Sequence, residues 1–268
     1  MMISIMEQNK KQAEKLNTVQ GKWLQRGIAI ALALAVWQLA AMKIQQKILL
    51  VTPAAVVRRL CTIWQVEGFF PSIWFTFCHI SLGFLLGVLL GCILAVLADR
   101  IRYAETLLWP WMITIKSVPV ASFVVICLIW LSAGNLSVFI SFLIVLPVIY
   151  QNMLAGLQSL DPSRREMAQV FQVPLRKRLK YITLPQLKPY LMSACRVTVG
   201  MAWKAGVAAE IIGTPQGSVG KMLFQAKIYL DTDDLLAWTV VIVVLSVCSE
   251  KLFLFILRKL LYPGKGRG

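Results

Sequence analysis

Long runs of apolar residues, separated by short polar stretches, dominate the chain. A membrane-spanning helix needs about 20 predominantly apolar residues, and runs of this kind predict six spans. They cover residues 27–42, 73–98, 106–131, 136–157, 189–212 and 235–257. Pro110 and Pro119 interrupt the third run, and each lacks a backbone N–H group. The third span is therefore either one kinked helix or two shorter pieces, and we count it as one.

The first run is short enough to be compared with a cleaved signal peptide. The polar stretch that precedes it is 26 residues long, whereas the charged region before the apolar core of a signal peptide is short. We therefore treat residues 27–42 as a membrane span.

Composition supports a membrane protein. Of the 268 residues 58% are hydrophobic and 15% are charged, and the mean hydropathy is +0.71. A soluble domain has about 45–50% apolar and about 25% charged residues. These values exclude an ordinary soluble enzyme and a disordered chain, and they predict an all-α, polytopic membrane helix bundle.

The distribution of basic residues predicts the orientation. The chain has 28 Lys and Arg against 12 Asp and Glu, a net charge of +16. If the N-terminus is cytoplasmic, 18 basic residues fall in inner stretches and six in outer ones, as the positive-inside rule requires. The charge therefore reflects topology rather than nucleic-acid binding. We expect a cytoplasmic segment over residues 1–26, a transmembrane domain over 27–258 and a cytoplasmic basic tail over 259–268.

Candidate catalytic chemistry is sparse. The single histidine, His79, lies inside the second run, and the six cysteines show no CxxC spacing; we interpret the cysteines as small buried apolar residues. The segment from Pro215 to Lys221 resembles a phosphate-binding loop, but Pro215 replaces its first glycine and Met222 its Ser or Thr. The acidic residues Asp231, Asp233 and Asp234 are interpreted as helix capping before the last span. We predict no catalytic residue and no metal site.

The longest inner loop, residues 158–188, reads as two short amphipathic helices. The first starts either with a capping box from Ser163 to Glu166 or at Asp161 and Pro162. Met167, Val170 and Phe171 share one apolar face at helical spacing. Val173 and Pro174 interrupt the helix, and Leu184 and Pro185 end the loop. Such a segment contacts either a partner protein or anionic lipid at the membrane surface.

This loop resembles the cytoplasmic signature of the inner-membrane permease subunits of binding-protein-dependent ABC importers. The signature reads Glu-Ala-Ala, three residues, Gly, nine residues, Ile, one residue, Leu-Pro. The chain matches its spacing with Glu166, Met167, Ala168, Gln172, Ile182, Leu184 and Pro185. Met167 replaces an alanine and Gln172 the glycine, and the side chain of Gln172 is expected to affect the turn.

Further stretches resemble the nitrate, sulfonate and taurine branch of that family. They are 116–119, 128–130, 203–204, 209–213, 217–220 and 234–243. The likeness covers roughly residues 50–260, while the first 25 residues show nothing specific.

The resemblance implies a membrane subunit in the bacterial inner membrane, with both termini cytoplasmic. It pairs with a second permease chain, expected to be identical, and with two cytoplasmic ATPase subunits that bind ATP and Mg. The chain itself holds no cofactor, and an external binding protein delivers a small, anionic solute. The segment over 158–188 is implied to be the coupling segment, with ATPase contacts at the signature residues and at Val170 and Phe171. Glu166 is either a helix cap or an ion-pair partner.

Residues within the spans suggest two further features. Gly83, Gly87 and Gly91 form a small-residue ridge at four-residue spacing, on which another helix can pack closely. Ionisable side chains in spans are costly in lipid and are functional candidates. The candidate substrate path consists of Lys116, Pro119, Trp203, Lys204 and Glu210. The competing interpretations are internal pairing and extension of Arg196 to the interface. Lys204 and Glu210 are six residues apart and face roughly opposite sides of one helix, so each would need a partner elsewhere.

Two other function classes remain. An ion-gradient-driven secondary transporter also suits the interrupted third span and the intramembrane charges. An integral membrane enzyme requires a cluster of His, Asp or Glu, and the three aspartates before the last span are the one such cluster in the sequence.

Overall fold

The computed structural model describes residue 25 and residues 27–44 and 50–261. Helices make up nearly all of this part. The N-terminal segment up to residue 24 and residues 262–268 of the basic tail, to which the sequence assigns a cytoplasmic location, lie outside the described residues.

Eleven α-helices are found in the described part of the chain. They are α1 (Gly27–Ile44), α2 (Pro53–Leu60), α3 (Phe69–Arg100), α4 (Arg102–Ser117), α5 (Val120–Cys127), α6 (Ala133–Gln158), α7 (Pro162–Val170), α8 (Leu175–Arg178), α9 (Leu184–Gly213), α10 (Val219–Ile228) and α11 (Thr232–Leu261). A 3₁₀ turn spans Ile63–Gln65, and a π-helical turn over Leu179–Thr183 joins α8 to α9.

Four of these helices are long and apolar enough to cross a membrane: α1, α3, α6 and α11. The fifth predicted span, residues 189–212, lies within the continuous 30-residue helix α9. Helix α9 is less apolar than those four helices because it carries four charged residues, Lys188, Arg196, Lys204 and Glu210. The chain is therefore a multi-pass membrane helix bundle.

The third predicted span is two helices rather than one. Helices α4 and α5 meet at an angle of 102°. The break falls at Val118 and Pro119: Val118 has ψ 129°, outside the helical region, and Pro119 precedes the first residue of α5. Proline excludes the residue before it from the helical conformation and offers no N–H group to continue the helix. Pro110, by contrast, lies inside α4 without breaking it.

Two compact units make up the chain. Within the described residues, one comprises the chain up to Ile63 together with Leu230–Ala237, and the other comprises Trp64–Tyr229 and the chain from Trp238 to Leu261. The core of the second unit is formed by α3, α6 and α9, with α5 and α10 packed against them. Its buried apolar side chains include Val124, Leu136 and Ile140, with Ala205 and Ala209 of α9.

The glycine ridge of α3 packs against α6 of the same chain. A Cβ on Gly87 would lie 2.7 Å from the Val145 Cβ, and one on Gly91 would lie 3.0 Å from the Ile149 Cβ. The small residues therefore allow two helices to approach closely, as the four-residue spacing predicts.

The cysteines are only partly buried, so the interpretation of all six as buried apolar residues was wrong. Cys127 and Cys195 are buried, Cys78 and Cys92 are half-buried, and Cys61 and Cys248 are exposed. Cys61 directly follows α2, and Cys248 lies on an exposed face of α11, so neither is part of a packed core.

Candidate functional site

The first helix of the inner loop begins at the second of the two predicted starts. Helix α7 starts at Pro162, and Asp161 Oδ1 accepts a hydrogen bond from Ser163 N at 3.0 Å. Proline is favoured in the first helical turn because its missing N–H group would have no partner there. A capping box places its acidic residue at the third helical position. Glu166 is the fifth residue of α7, so it is not the acidic residue of a capping box, and its side chain is exposed.

Helix α7 presents an exposed apolar face. The side chains of Met167, Val170 and Phe171 are 50%, 78% and 74% exposed. Ala168, the small residue that the signature shares with this chain, is buried, with 2% exposure. The helix therefore uses Ala168 to pack against its own chain and leaves the larger apolar side chains uncovered. Exposed apolar patches of this kind mark interaction surfaces.

Gln172 occupies the left-handed turn that ends α7. Its φ is 48°, and Val173 N donates a hydrogen bond to Ala168 O at 2.9 Å. This six-to-one bond with a left-handed residue before it is a Schellman motif, in which the left-handed position favours glycine. The position at which the signature has glycine is thus the position at which α7 ends. In this chain the left-handed turn forms with glutamine at that position. The expected disturbance of the turn by Gln172 is not found.

The end of the signature leads directly into α9. Ile182 lies in the π-helical turn, and Leu184 and Pro185 are the first two residues of α9. Pro185 is the second residue of α9, and Leu184 N, just before it, donates a hydrogen bond to Leu179 O in the π-helical turn. Val173 and Pro174 separate α7 from α8, as the sequence predicts. The coupling segment is therefore joined to α9 by nearly continuous helix.

A buried carboxylate organises the far end of α9. Glu210 has no exposed surface. Its Oε2 accepts hydrogen bonds from Thr76 Oγ1 at 2.8 Å and from Gly220 N at 3.2 Å. Thr76 Oγ1 in turn accepts one from Val219 N at 3.0 Å. Together the two side chains bind the first N–H groups of α10, which have no acceptor within that helix.

Gly220 has to be glycine for this arrangement. A Cβ at this position would overlap Glu210 itself. Ser218 completes the N-terminus of α10 by accepting a hydrogen bond from Lys221 N at 3.0 Å. The stretch that resembles a phosphate-binding loop thus contains the start of α10, at which Ser218, Val219 and Gly220 are buried while Gln216 and Gly217 are exposed.

The candidate path residues fall into two groups. Lys116 and Lys204 are exposed, whereas Trp203 and Glu210 are buried. Lys116 Nζ donates a hydrogen bond to Gln151 Oε1 on α6 at 2.6 Å. Glu210 accepts hydrogen bonds from Thr76 and Gly220 and not from Lys204, as the six-residue separation of Lys204 and Glu210 on one helix predicts. Pro119 lies at the bend between α4 and α5.

The remaining ionisable groups of the spans also have defined places. His79 stacks on Phe75 with ring centroids 3.9 Å apart, and its Nδ1 lies 2.8 Å from Phe75 O. Arg196 is exposed on α9. No group of three or more His, Cys, Asp or Glu side chains that could hold a metal ion is found within the described residues.

The acidic residues before the last span have two roles. Asp231 Oδ1 accepts a hydrogen bond from Asp234 N at 3.2 Å and so caps α11, as the sequence predicts. Asp234 also pairs with Arg59 of α2 through two hydrogen bonds, one of them from Arg59 Nη2 to Asp234 Oδ2 at 2.9 Å. The hydrogen bond to Asp234 raises the pKa of the Arg59 guanidinium above its ordinary value. The sequence carries no local signal for this pair, because 175 residues separate its members.

Known proteins share this architecture. The family model described as "Binding-protein-dependent transport system inner membrane component" matches residues 87–267. A solved structure titled as an amino acid ABC transporter with histidines shares the fold, with a TM-score of 0.53, 19% identity, and coverage of 75% of this chain and 94% of that one.

The chain also matches curated relatives over most of the length of each relative. The chain is 25% identical to a putative aliphatic sulfonates transport permease protein of Bacillus subtilis (strain 168), covering 89% of this chain and 87% of the relative. It is 27% identical to a taurine transport system permease protein of Escherichia coli (strain K12), covering 94% and 97%. It is 23% identical to a nitrate import permease protein of Synechococcus elongatus, covering 74% and 75%. The resemblance to the nitrate, sulfonate and taurine branch is confirmed, and the chain belongs to the family of inner-membrane components of binding-protein-dependent transport systems.

Proposed function

We propose that this chain is the translocation subunit of an ATP-driven importer that takes up a small anionic solute delivered by an external binding protein. The observation that carries the proposal is the exposed apolar face at the position of the signature, formed by Met167 and Val170 of α7 and by Phe171, which directly follows the helix. A partner that covers this face removes apolar surface from water, which is favourable.

The partner is a cytoplasmic ATPase subunit that binds ATP and Mg. Two copies engage two permease chains, because each chain contributes one coupling segment. We take the two permease chains to be identical, with both termini cytoplasmic and the loop from Gln158 to Lys188 on the same side. ATP can shift the transporter between inward-open and outward-open states only if these contacts differ in free energy between the two states.

The connection between α8 and α9 supplies a route for this motion. The coupling segment continues through the π-helical turn into α9, and α9 packs against α3 and α6. A displacement of α7 by the ATPase is therefore passed to the core helices. Coupling of this kind requires contiguous packed elements with two discrete arrangements.

Two exposed lysines are the path residues in this proposal. Lys116 and Lys204 carry positive charge within the spans and are exposed, so they are placed to attract an anion. Trp203 and Glu210 are buried in the packing of the chain and support the path helices.

Uptake by the complete complex tests the coupling role. Glu166→Lys and Phe171→Ser are each expected to abolish ATP-dependent uptake. The ATPase is expected to be lost when either variant is purified by affinity, although both variants still insert into the membrane. Tyr103→Ser is the matched control, because Tyr103 is 88% exposed and lies at the start of α4, on the same predicted side. Unchanged uptake in both coupling variants would refute the proposal.

The bend between α4 and α5 keeps the gradient-driven transporter as an alternative, because such transporters bind substrate at interrupted helices. Loss of uptake on addition of a protonophore, with ATP held constant, would favour it. Uptake that persists under these conditions but stops on ATP depletion would support the importer.

A further inference from the structure

Helix α10 is buried at its first turn and exposed at its last. Val219 and Gly220, which begin the helix, are buried, and so are Leu223 and Ala226 further along the same face. Ile228, the last residue of the helix, is 59% exposed. The helix therefore has one face packed against its own chain and an exposed end.

The first turn of α10 lies directly on the backbone of α9. A Cβ on Gly220 would lie 2.7 Å from the backbone carbonyl carbon of Glu210 and 2.8 Å from Ile211 N. Gly220 N donates a hydrogen bond to Glu210 Oε2, and Thr76 of α3 donates to the same oxygen while it accepts from Val219 N. The end of α9, the start of α10 and α3 therefore meet in one buried hydrogen-bond cluster.

The chain segments on either side of α10 are turns. Thr214 and Gly217, which connect α9 to α10, have φ values of 47° and 73°, and Leu230 after the helix has a φ of 55°. Left-handed residues interrupt a right-handed helix, so α10 does not continue either neighbouring helix. At Leu230 the chain also leaves the compact unit to which α9 and α10 belong. The hydrogen-bond cluster, rather than the connecting turns, therefore sets the position of α10 on α9.

Helix α9 joins this cluster to the coupling segment. It has 30 residues, which at 1.5 Å per residue make a rod of about 45 Å, and a bilayer with its headgroups is about 40–45 Å thick. With the N-terminus cytoplasmic, α9 begins at the inner surface and α10 lies at the outer one. A displacement of the coupling segment therefore reaches the outer surface through a single helix.

We propose that α10, α9 and the turn of α3 at Thr76 move as one body, so that α10 opens or closes the outer end of the path when the ATPase displaces the coupling segment. Thr76 and Glu210 are the positioning residues, because their buried side chains hold α10 on α9. Coupling between distant sites requires contiguous packed elements with two arrangements. This assignment rests on the proposed import function and extends it from the inner surface to the outer one.

Hydrogen–deuterium exchange of the complete complex, with its ATPase and binding protein, tests the proposal without knowledge of the solute. The non-hydrolysable nucleotide AMP-PNP is expected to change exchange by about fivefold or more both at α7 and at the exposed end of α10, the lower range of coupling between sites. A response at α7 alone would overturn the proposal. A response at neither segment would refute ATPase coupling and with it this inference, so the two failures are distinguishable.

Two variants remove the hydrogen bond between Thr76 and Val219 from opposite sides. Thr76→Val leaves Val219 N without its acceptor, whereas Val219→Pro removes the donor, and proline suits the first position of a helix. Ser218 already has a ψ of 154°, the extended conformation that a following proline favours. Both variants are expected to lose the nucleotide response of α10 and to keep that of α7.

Two controls separate this role from a contribution to stability alone. Glu210→Gln keeps a carbonyl oxygen, and because Thr76 and Gly220 both bond to one oxygen of Glu210, this variant is expected to keep the response of α10. Gly91→Ala overpacks the contact between α3 and α6, about 22 Å along the axis of α3 from Thr76, and is expected to lower stability but keep the response. A response of α10 that persists in Thr76→Val and Val219→Pro, or that is lost in Gly91→Ala, would overturn the proposal.

Discussion

Gly87 of α3 lies so close to Val145 of α6 that a Cβ on Gly87 would come within 2.7 Å of the Val145 Cβ. The corresponding Cβ on Gly83 would overlap the backbone carbonyl oxygen of Val138, and that on Gly91 would lie 3.0 Å from the Ile149 Cβ. The closest contact is thus a backbone oxygen at Gly83 and a Cβ atom at the other two positions, where backbone oxygens of Phe142 and Leu146 also lie 3.0 and 3.1 Å away. The overlap is deepest at Gly83 and smallest at Gly91, so the three glycines differ in their tolerance of substitution.

We expect alanine substitutions along the ridge to destabilise the protein in the order Gly83, Gly87, Gly91. Overpacking a well-packed core costs about 1–3 kcal/mol, and Gly83→Ala is expected to reach the upper end or to prevent folding. Thermal unfolding of the purified protein in detergent measures the series. Gly200→Ala is the control, because a Cβ there meets nothing within 4 Å and alanine favours the helix. Equal losses at all three ridge positions would contradict the graded contact.

Local features of the fold were predictable from sequence, and long-range pairings were not. Pro119 marks the bend between α4 and α5, and Asp231 marks the start of α11, because proline and capping chemistry act on neighbouring residues. The four-residue glycine spacing predicted close packing but not its partner, α6. The bonds that join Glu210 to Thr76 and Arg59 to Asp234 bridge 134 and 175 residues. No periodicity in the sequence encodes such pairs.

Thr76 and Glu210 are expected to stabilise the protein through the start of α10. Thr76→Val keeps the shape of the side chain but leaves Val219 N without its acceptor in a buried site, which costs about 1–3 kcal/mol. Thr76→Ser retains the hydroxyl group and is expected to retain most of the stability. The midpoint of thermal unfolding in detergent compares the two variants. A Thr76→Val protein as stable as the Thr76→Ser protein would show that the hydrogen bond contributes nothing.

Substitutions of Glu210 test the same hydrogen bonds at the start of α10. Glu210→Ala removes the acceptor of both Thr76 Oγ1 and Gly220 N and leaves a cavity, so a loss of about 3 kcal/mol or more is expected. Glu210→Gln keeps one acceptor oxygen and is expected to lose less. Since Glu210 is buried, uptake per folded molecule is expected to be unchanged in the glutamine variant. A selective loss of uptake at full stability would instead assign Glu210 to the path.

Because Gln172 lies in a left-handed turn, glycine and valine substitutions at this position are expected to change the stability of the loop in opposite directions. A left-handed backbone costs a residue with a Cβ about 1–2 kcal/mol, and glycine avoids this cost. Gln172→Gly is therefore expected to preserve or improve the stability of the loop. Gln172→Val is expected to weaken it, because a β-branched residue is poorly tolerated at positive φ. Limited proteolysis between α7 and α8 reports loop opening, and ATP-dependent uptake reports coupling. Faster cleavage of the glycine variant than of the valine variant would contradict the Schellman geometry.

The pair between Arg59 and Asp234 ties α2 to the first turn of α11, and its free energy can be measured by a double-mutant cycle. Their side chains are 31% and 20% exposed, so solvent screens the attraction, and a coupling energy of about 1 kcal/mol or less is expected. The variants are Arg59→Gln, Asp234→Asn and the double substitution, compared by thermal unfolding in detergent. Because the pair is partly exposed, its coupling energy is expected to fall in high salt. Asp233→Asn serves as the control, since Asp233 is adjacent in sequence but is not the partner of Arg59. A coupling energy of zero at low salt, or one as large between Arg59 and Asp233, would show that this ion pair does not hold the two helices together.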